Sequence, residues 1–269
     1  MLLAIDAGNT NIVFAIFDGE ENKHVWRLNT NAKRTADEYA AWLFPLFNNA
    51  DLDFGDIDQA IISSVVPDAN YNLDNLTNKF FSCKPVFIGH KLVSTFIDPS
   101  LEKPEEIGAD RLVNTVAATL KYPYPAIVID FGTATTFDVV DEKGRYSGGI
   151  IAPGANLSMT ALHQAAAKLP RVNIEKTDFI KGRSTVEAIQ SGIFWGYVSM
   201  IEGLIDKLKG ELNCSSSVKV IATGGLAALY ASSVEAIDHV DDNLTLNGLI
   251  HIQKLINENS TVYEMEKAL

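Results

Sequence analysis

The sequence predicts an α/β protein made of two copies of one domain, each with three antiparallel strands followed by parallel strands and helices, around a central cleft. Three observations predict it. The apolar stretch LLAIDAGNTNIVFAIFDG is interrupted at Asp6-Ala7-Gly8-Asn9-Thr10 and then resumes. The same pattern returns in AIVIDFGTATTFDVV, where a shift of 124 positions lays Asp130 on Asp6, Gly132 on Gly8 and Thr133 on Asn9. Both stretches run on into alternating helix and strand patterns, and a period this long marks a duplicated domain, not a solenoid. The halves are read as 1–120 and 121–269, with the two acidic turns facing each other across a cleft.

In chain order, residues 2–6 and 11–17 read as strands on either side of the polar interruption. Lys23 to Thr30 is a third strand entered through the Asp18-Gly19 turn, which makes an antiparallel meander. Thr35-Ala36-Asp37-Glu38 has the form of a capping box opening a helix with Tyr39, Trp42, Leu43 and Leu46 on one side. QAIISSVVP is a buried strand closed by Pro67, NYNLDNLTNKFF a helix, KPVFIG a strand, and a further helix runs from near Gly108 to about Lys121. The second half repeats the order: an apolar strand to Asp130, a second strand, a turn at Glu142 to Gly144, and a third strand ending in GGIIAPG. A helix over NLSMTALHQAAAKL follows, then a long helix with apolar residues from Ile189 to Leu208 at helical spacing, and a late strand VKVIATGG.

Composition narrows the function. At 269 residues, 47% hydrophobic and 21% charged, the chain supports well-buried cores. A net charge of -12 with scattered Lys and Arg argues against nucleic-acid binding. No leader precedes the first strand and no apolar run approaches the roughly 20 residues of a membrane span, so a cytoplasmic protein is expected. Cys83 and Cys214 lack metal-ligand spacing and read as inert thiols in a reducing compartment. The five histidines form no metal set and no Ser-His-Asp or Cys-His combination can be assembled.

The acidic turns carry the chemistry. Glycine allows close backbone approach and Asn or Thr adds donors, which suits a polyphosphate. An aspartate fits that setting when Mg²⁺ lies between it and the phosphate through water. Asp6-Ala7-Gly8-Asn9 also has the form of a plain hairpin turn capped by its own side chain; two copies in register favour the ligand-binding reading. Neither a P-loop nor a dinucleotide fingerprint occurs. In EEIGADRLVNTVAATL, Asp110 and Arg111 fall in the first helical turn with Asn114 one turn on. The helix N-terminus favours ionised Asp110, which suits a proton acceptor or cation ligand. The alternative is that Asp110 only offsets the dipole while Arg111 pairs with Glu105 or Glu106. Thr223-Gly224-Gly225 is a third glycine turn that by itself indicates only a turn.

DAGNT at the start, GADR at 108–111, IDFGTATTFD at 129–138 and GGIIAPG at 148–154 together resemble the type III pantothenate kinases, within the group of acetate and sugar kinases and actin. RTADEY, SSVVP, AIQSGIFWG and LTLNGL extend the resemblance over nearly the whole chain. It implies duplicated actin/ribonuclease H-like domains and transfer of the ATP γ-phosphoryl group to pantothenate, the first step towards coenzyme A. By the resemblance, Asp6, Ala7, Gly8, Asn9, Thr10, Asn11, Ile12, Val13 and Thr133 bind ATP, with Asp6 holding Mg²⁺ through water. Gly108, Ala109, Asp110, Arg111 and Thr185 bind pantothenate, Asp110 is the catalytic base, and Asp130 holds a monovalent cation, K⁺ or NH₄⁺. Thr185 comes from the neighbouring subunit, which implies a homodimer. Leu101 departs from the family, which often has tyrosine there. Two alternatives compete: another small-molecule kinase of the superfamily, separated by acceptor choice, and a nucleotide-binding regulatory or accessory protein without kinase activity, against which the Asp110-Arg111 pair argues.

Overall fold

The structure, a computed structural model, describes residues 1–166, 168–212 and 218–267, with the side chains of the last helix described to residue 258. Its strands are β1 (Leu2–Ala7), β2 (Asn11–Asp18), β3 (Glu21–Asn29), β4 (Gln59–Ser64), β5 (Pro85–Phe87), β6 (Ala126–Phe131), β7 (Ala134–Val140), β8 (Tyr146–Pro153), β9 (Lys219–Thr223) and β10 (His239–Val240). The helices are α1 (Ala36–Asn49), α2 (Pro67–Phe80), α3 (His90–Val93), α4 (Ala109–Lys121), α5 (Ala155–Ala165), α6 (Thr185–Leu212), α7 (Ala227–Ala231) and α8 (Leu244–Lys267).

Two five-stranded sheets form, ordered β3-β2-β1-β4-β5 and β10-β9-β6-β7-β8. Read from β8, the second order repeats the first, element for element. In each, the first three strands are antiparallel and the next two join in parallel. The duplication expected from the sequence is therefore present in topology.

Contacts divide the chain into two compact units. The first comprises Met1–Ile97, Lys103–Ala117 and Thr245 onwards; the second comprises Asp98–Glu102 and Ala118–Leu244. This division differs from one cut after residue 120. The first part of α8 packs on α4: a Cβ on Gly248 would meet Val113 at 2.7 Å, and the Thr245 hydroxyl donates to Asn114 Oδ1 at 2.7 Å. Lys254 also pairs with Glu20 at 2.7 Å. These contacts join residues more than a hundred positions apart, where local sequence patterns carry no information.

Strand alternation explains both cores. In the first unit Leu3, Ile5, Ala7, Phe14 and Ile62 face Tyr39, Leu43 and Phe47 of α1 and Leu73 of α2. Thr35 caps α1 in the expected capping box with Glu38. In the second unit Ile127, Ile129, Phe131 and Val220 face Phe194, Tyr197 and Ile201 of α6 and Tyr230 of α7. Residues with the other parity, Asp6 and Asp130 among them, thus lie on the sheet face opposite these clusters.

Three details depart from the sequence reading. The helix expected to reach Leu169 stops at Ala165. Pro67, read as closing a strand, is the first residue of α2, where its missing N–H costs nothing. Short α3 and long α8 were not anticipated. Burial pushes the Cys83 thiol pKa up, consistent with an unreactive group; Cys214 lies outside the described residues.

Candidate functional site

Asp6 ends the buried run of β1, and the turn Gly8–Thr10 leads into β2. Asn9, Thr10 and Asn11 are exposed, Asp6, Gly8 and Val13 half-buried, Ala7 and Ile12 buried. The Gly8 N–H donates to Asn11 O at 3.0 Å, and a Cβ on Gly8 would lie 3.2 Å from that oxygen. The glycine amide is therefore spent on closing the turn. Just after β3, the Thr30 hydroxyl donates to Gly8 O at 2.6 Å and its N–H to Thr10 O at 2.9 Å. This clamp was missed in the sequence, since Thr30 is adjacent to the turn only through the meander.

The second turn is one residue tighter. Ala7 faces Ile12 across the first hairpin, whereas Phe131 faces Thr135 across the second. The Gly132 N–H accordingly donates to Ala134 O, two residues on, at 3.0 Å. The match of Asp6, Gly8 and Asn9 with Asp130, Gly132 and Thr133 holds up to the turn, after which one residue is lost. Thr133 is exposed, and its carbonyl accepts the Gly154 N–H at 3.0 Å. A Cβ on Gly154 would lie 2.3 Å from that same carbonyl oxygen, which accounts for the last glycine of GGIIAPG.

The glycine turn after β9 belongs to this site. Thr223 stands in register with Asp130, and Gly224 has φ +92°, with a hypothetical Cβ 2.5 Å from Asp130 Oδ1 and 2.7 Å from Phe131 N. Any side chain at Gly224 would displace the carboxylate. Gly224→Ala is expected to cost about 1–3 kcal/mol of stability from its backbone conformation alone, and to weaken any cation response that depends on Asp130. Thermal unfolding and a potassium titration on the same preparation check both.

Asp110 lies in the first turn of α4 and is half-buried. Its Oδ1 accepts the Arg111 N–H at 2.8 Å, and a Cβ on Gly108 would meet that oxygen at 2.6 Å. Burial raises the Asp110 pKa above the ordinary carboxylate value, against the opposing pull of the Arg111 amide and guanidinium. This corrects the expectation that the helix N-terminus would favour the ionised form, because desolvation outweighs the local donors. A poised carboxylate suits a proton acceptor. Glu106, an expected partner of Arg111, pairs with Lys103 at 2.9 Å instead. Asn114 is buried and tied to Thr245, a packing role.

Val65 links the first turn to this helix start. Its N–H donates to Ala7 O at 3.0 Å, and its Cγ1 would lie 3.5 Å from a Cβ on Gly108. Within the first unit, then, the Asp6 turn and the Gly108–Arg111 segment meet at one residue. Ala109 is buried and Arg111 half-buried.

Thr185 is exposed at the start of α6, which Ser184 caps by accepting the Glu187 N–H at 3.2 Å. Leu101 belongs to the second unit, where its Cδ2 would be 3.9 Å from a Cβ on Gly148.

Among the described residues no group of three or more His, Cys, Asp or Glu could cage a metal. Mg²⁺ is commonly held by one or two carboxylates together with water and substrate phosphates, and Asp6 supplies one half-buried carboxylate at the first turn. Asp130 is flanked in register by Thr136 and Thr223. One carboxylate with neighbouring hydroxyls is a hard oxygen set, suited to an alkali cation and not to a soft metal.

The matching strand order of the two sheets and their repeated Asp-x-Gly turns define the class: a duplicated actin-like α/β fold. Solved structures with this fold include a protein from Campylobacter jejuni described as a Baf family transcriptional activator, at TM-score 0.60 and 19% identity over 96% of this chain and 99% of that one. A second, described as a 2-dehydro-3-deoxygalactonokinase from Sinorhizobium meliloti, has TM-score 0.58 at 11% identity over 95% and 97%. A sequence model of the type III pantothenate kinase family matches residues 2–207. Proteins named type III pantothenate kinase are 53% identical in Paramagnetospirillum magneticum, over 97% of this chain and 98% of that one, and 53% identical in Rhodospirillum rubrum, over 94% and 98%. The chain belongs to the type III pantothenate kinase family.

Proposed function

We propose that this chain is an ATP-dependent kinase that phosphorylates pantothenate at its primary hydroxyl, giving 4'-phosphopantothenate for coenzyme A synthesis. Family membership supports the reaction. The observation that carries the site is the meeting at Val65 of a phosphate-type turn and a helix start bearing a carboxylate of raised pKa.

In this reading Asp6, Ala7, Gly8, Asn9, Thr10, Asn11, Ile12 and Val13, with Thr133, receive ATP, while Gly108, Ala109, Asp110 and Arg111 receive pantothenate. The pantothenate hydroxyl oxygen bonds to the γ-phosphorus, the bond from that phosphorus to the β–γ bridging oxygen breaks, and ADP leaves. Asp110 takes the hydroxyl proton. Positioning and charge neutralisation account for most of such catalysis. Asp6 would hold Mg²⁺ through water and Asp130 a K⁺ or NH₄⁺ ion; bound there, the cations offset phosphate charge. Residues 1–120 and 121–269 serve as the two functional halves.

The working form in this reading is a cytoplasmic homodimer with Thr185 supplied to the partner's pantothenate site. Its support is exposed apolar surface in the second unit: Ile180 and Val186, close to Thr185 in sequence, are exposed, and Ile151 on edge strand β8 is 65% exposed. Ile151→Asp is expected to yield monomer in light scattering and to raise the KM for pantothenate; an unchanged dimer would place the interface elsewhere. Among the described residues no helix is long and apolar enough to cross a membrane.

The test of function is mass detection of phosphopantothenate from protein, ATP, Mg²⁺ and pantothenate, with potassium or sodium as the monovalent ion. Product only with potassium supports substrate and cation together. No product in either salt from folded protein would turn attention to another acceptor.

A further inference from the structure

The two acidic turns share a feature outside the turns themselves. On the strand that runs parallel to each aspartate, the residue in register carries a hydroxyl: Ser63 opposite Asp6 and Thr223 opposite Asp130. Residues in register on neighbouring strands point to the same face, about 4.8 Å apart along the hydrogen-bonding direction. Ser63 is fully buried and Thr223 is 2% exposed.

Ser63 Oγ has no hydrogen-bond partner in the protein. A buried hydroxyl without a partner is destabilising, and native proteins tolerate few of them. Its neighbour shows the usual solution: Ser64 Oγ accepts the Val66 N–H at 3.2 Å and is spent on the local turn. Of the two serines in SSVVP, one serves the fold and the other is held in reserve. Packing alone would be served better by alanine.

We infer that Ser63 positions Asp6 in the nucleotide-bound enzyme, its hydroxyl donating to the Asp6 carboxylate when that carboxylate turns towards the Mg²⁺-phosphate group. The inference rests on the proposed role of Asp6. A neutral donor beside a carboxylate fixes its orientation without cancelling its charge, as outer-shell partners do at metal sites. The burial of the Ser63 hydroxyl is then the cost of that arrangement.

The test compares Ser63→Ala, Ser63→Cys and Ser63→Thr with Asp6→Asn, in nucleotide-free thermal unfolding, calorimetric binding of ADP with and without Mg²⁺, and steady-state kinetics. Ser63→Ala is expected to melt at or above the parent temperature, to raise the Mg²⁺ concentration for half-maximal rate about 10-fold, to weaken Mg²⁺-dependent ADP binding, and to leave the pantothenate KM unchanged. Ser63→Cys, with a weak donor of similar size, should follow alanine. Ser63→Thr should recover most of the loss, since threonine occupies the equivalent position opposite Asp130. Parental Mg²⁺ dependence in Ser63→Ala beside an impaired Asp6→Asn overturns the role of Ser63 alone. A lower melting temperature with all kinetic constants worsened, and no recovery by threonine, also overturns it by showing a packing role. If Asp6→Asn keeps parental Mg²⁺ dependence, the assignment of Asp6 itself fails.

Discussion

Asp110→Asn is expected to lower kcat by about 100-fold or more, the scale of a lost general base, while Mg²⁺-dependent ADP binding is retained. Asparagine keeps an oxygen to accept the Arg111 N–H, so the start of α4 should survive. It cannot accept the substrate proton. The raised pKa of Asp110 supplies a second readout. In the parent, activity should fall as pH drops through this raised value, giving an acidic limb above the ordinary carboxylate range, and the asparagine variant should lack that limb.

Stability follows with a definite sign. A carboxyl whose folded pKa is raised keeps its proton more readily in the folded state. Its favourable contribution is full below the unfolded pKa and is lost as pH rises through the folded pKa. At neutral pH the parent therefore bears the penalty of a buried charge that Asp110→Asn does not. The variant should melt at or above the parent temperature near neutrality, and the advantage should vanish under acid conditions. Activity within a few-fold of the parent would remove Asp110 from the role of base.

Asp130→Ala is expected to abolish activation by potassium, leaving equal, low rates in potassium and sodium. Asp130 stands between Thr136 and Thr223, and Gly224 adopts φ +92° with its backbone against the carboxylate. The substitution leaves the pairing of β6 with β7 and β9 in place, so global stability should hold while the cation response disappears. A parental potassium titration would place the cation elsewhere.

The succession of the main strands and the start of α1 were legible in sequence because they arise from local causes: alternation in β1 and β6, the capping box at Thr35, and turn glycines at Gly19 and Gly144, both with positive φ. The repeated Asp-x-Gly turn pointed to the candidate site for the same reason. The end of α5 was misplaced because AAAKL is a good helix former by composition, and propensity alone does not mark where packing stops. The Thr30 clamp, the approach of Gly224 to Asp130 and the union of α8 with α4 gave no signal, since each joins segments distant along the chain.

The sequence by itself determined the duplication, the residues of the two turns and the family, because these reside in residue type and spacing. Tertiary structure alone decided the direction in which the Asp110 pKa moves, upward, because desolvation outweighs the local donors. It also decided the loss of one residue in the second turn and the burial of Ser63 beside Asp6. Burial, register and close approach are properties of neighbours in space, and a linear pattern does not specify which neighbours the fold will bring.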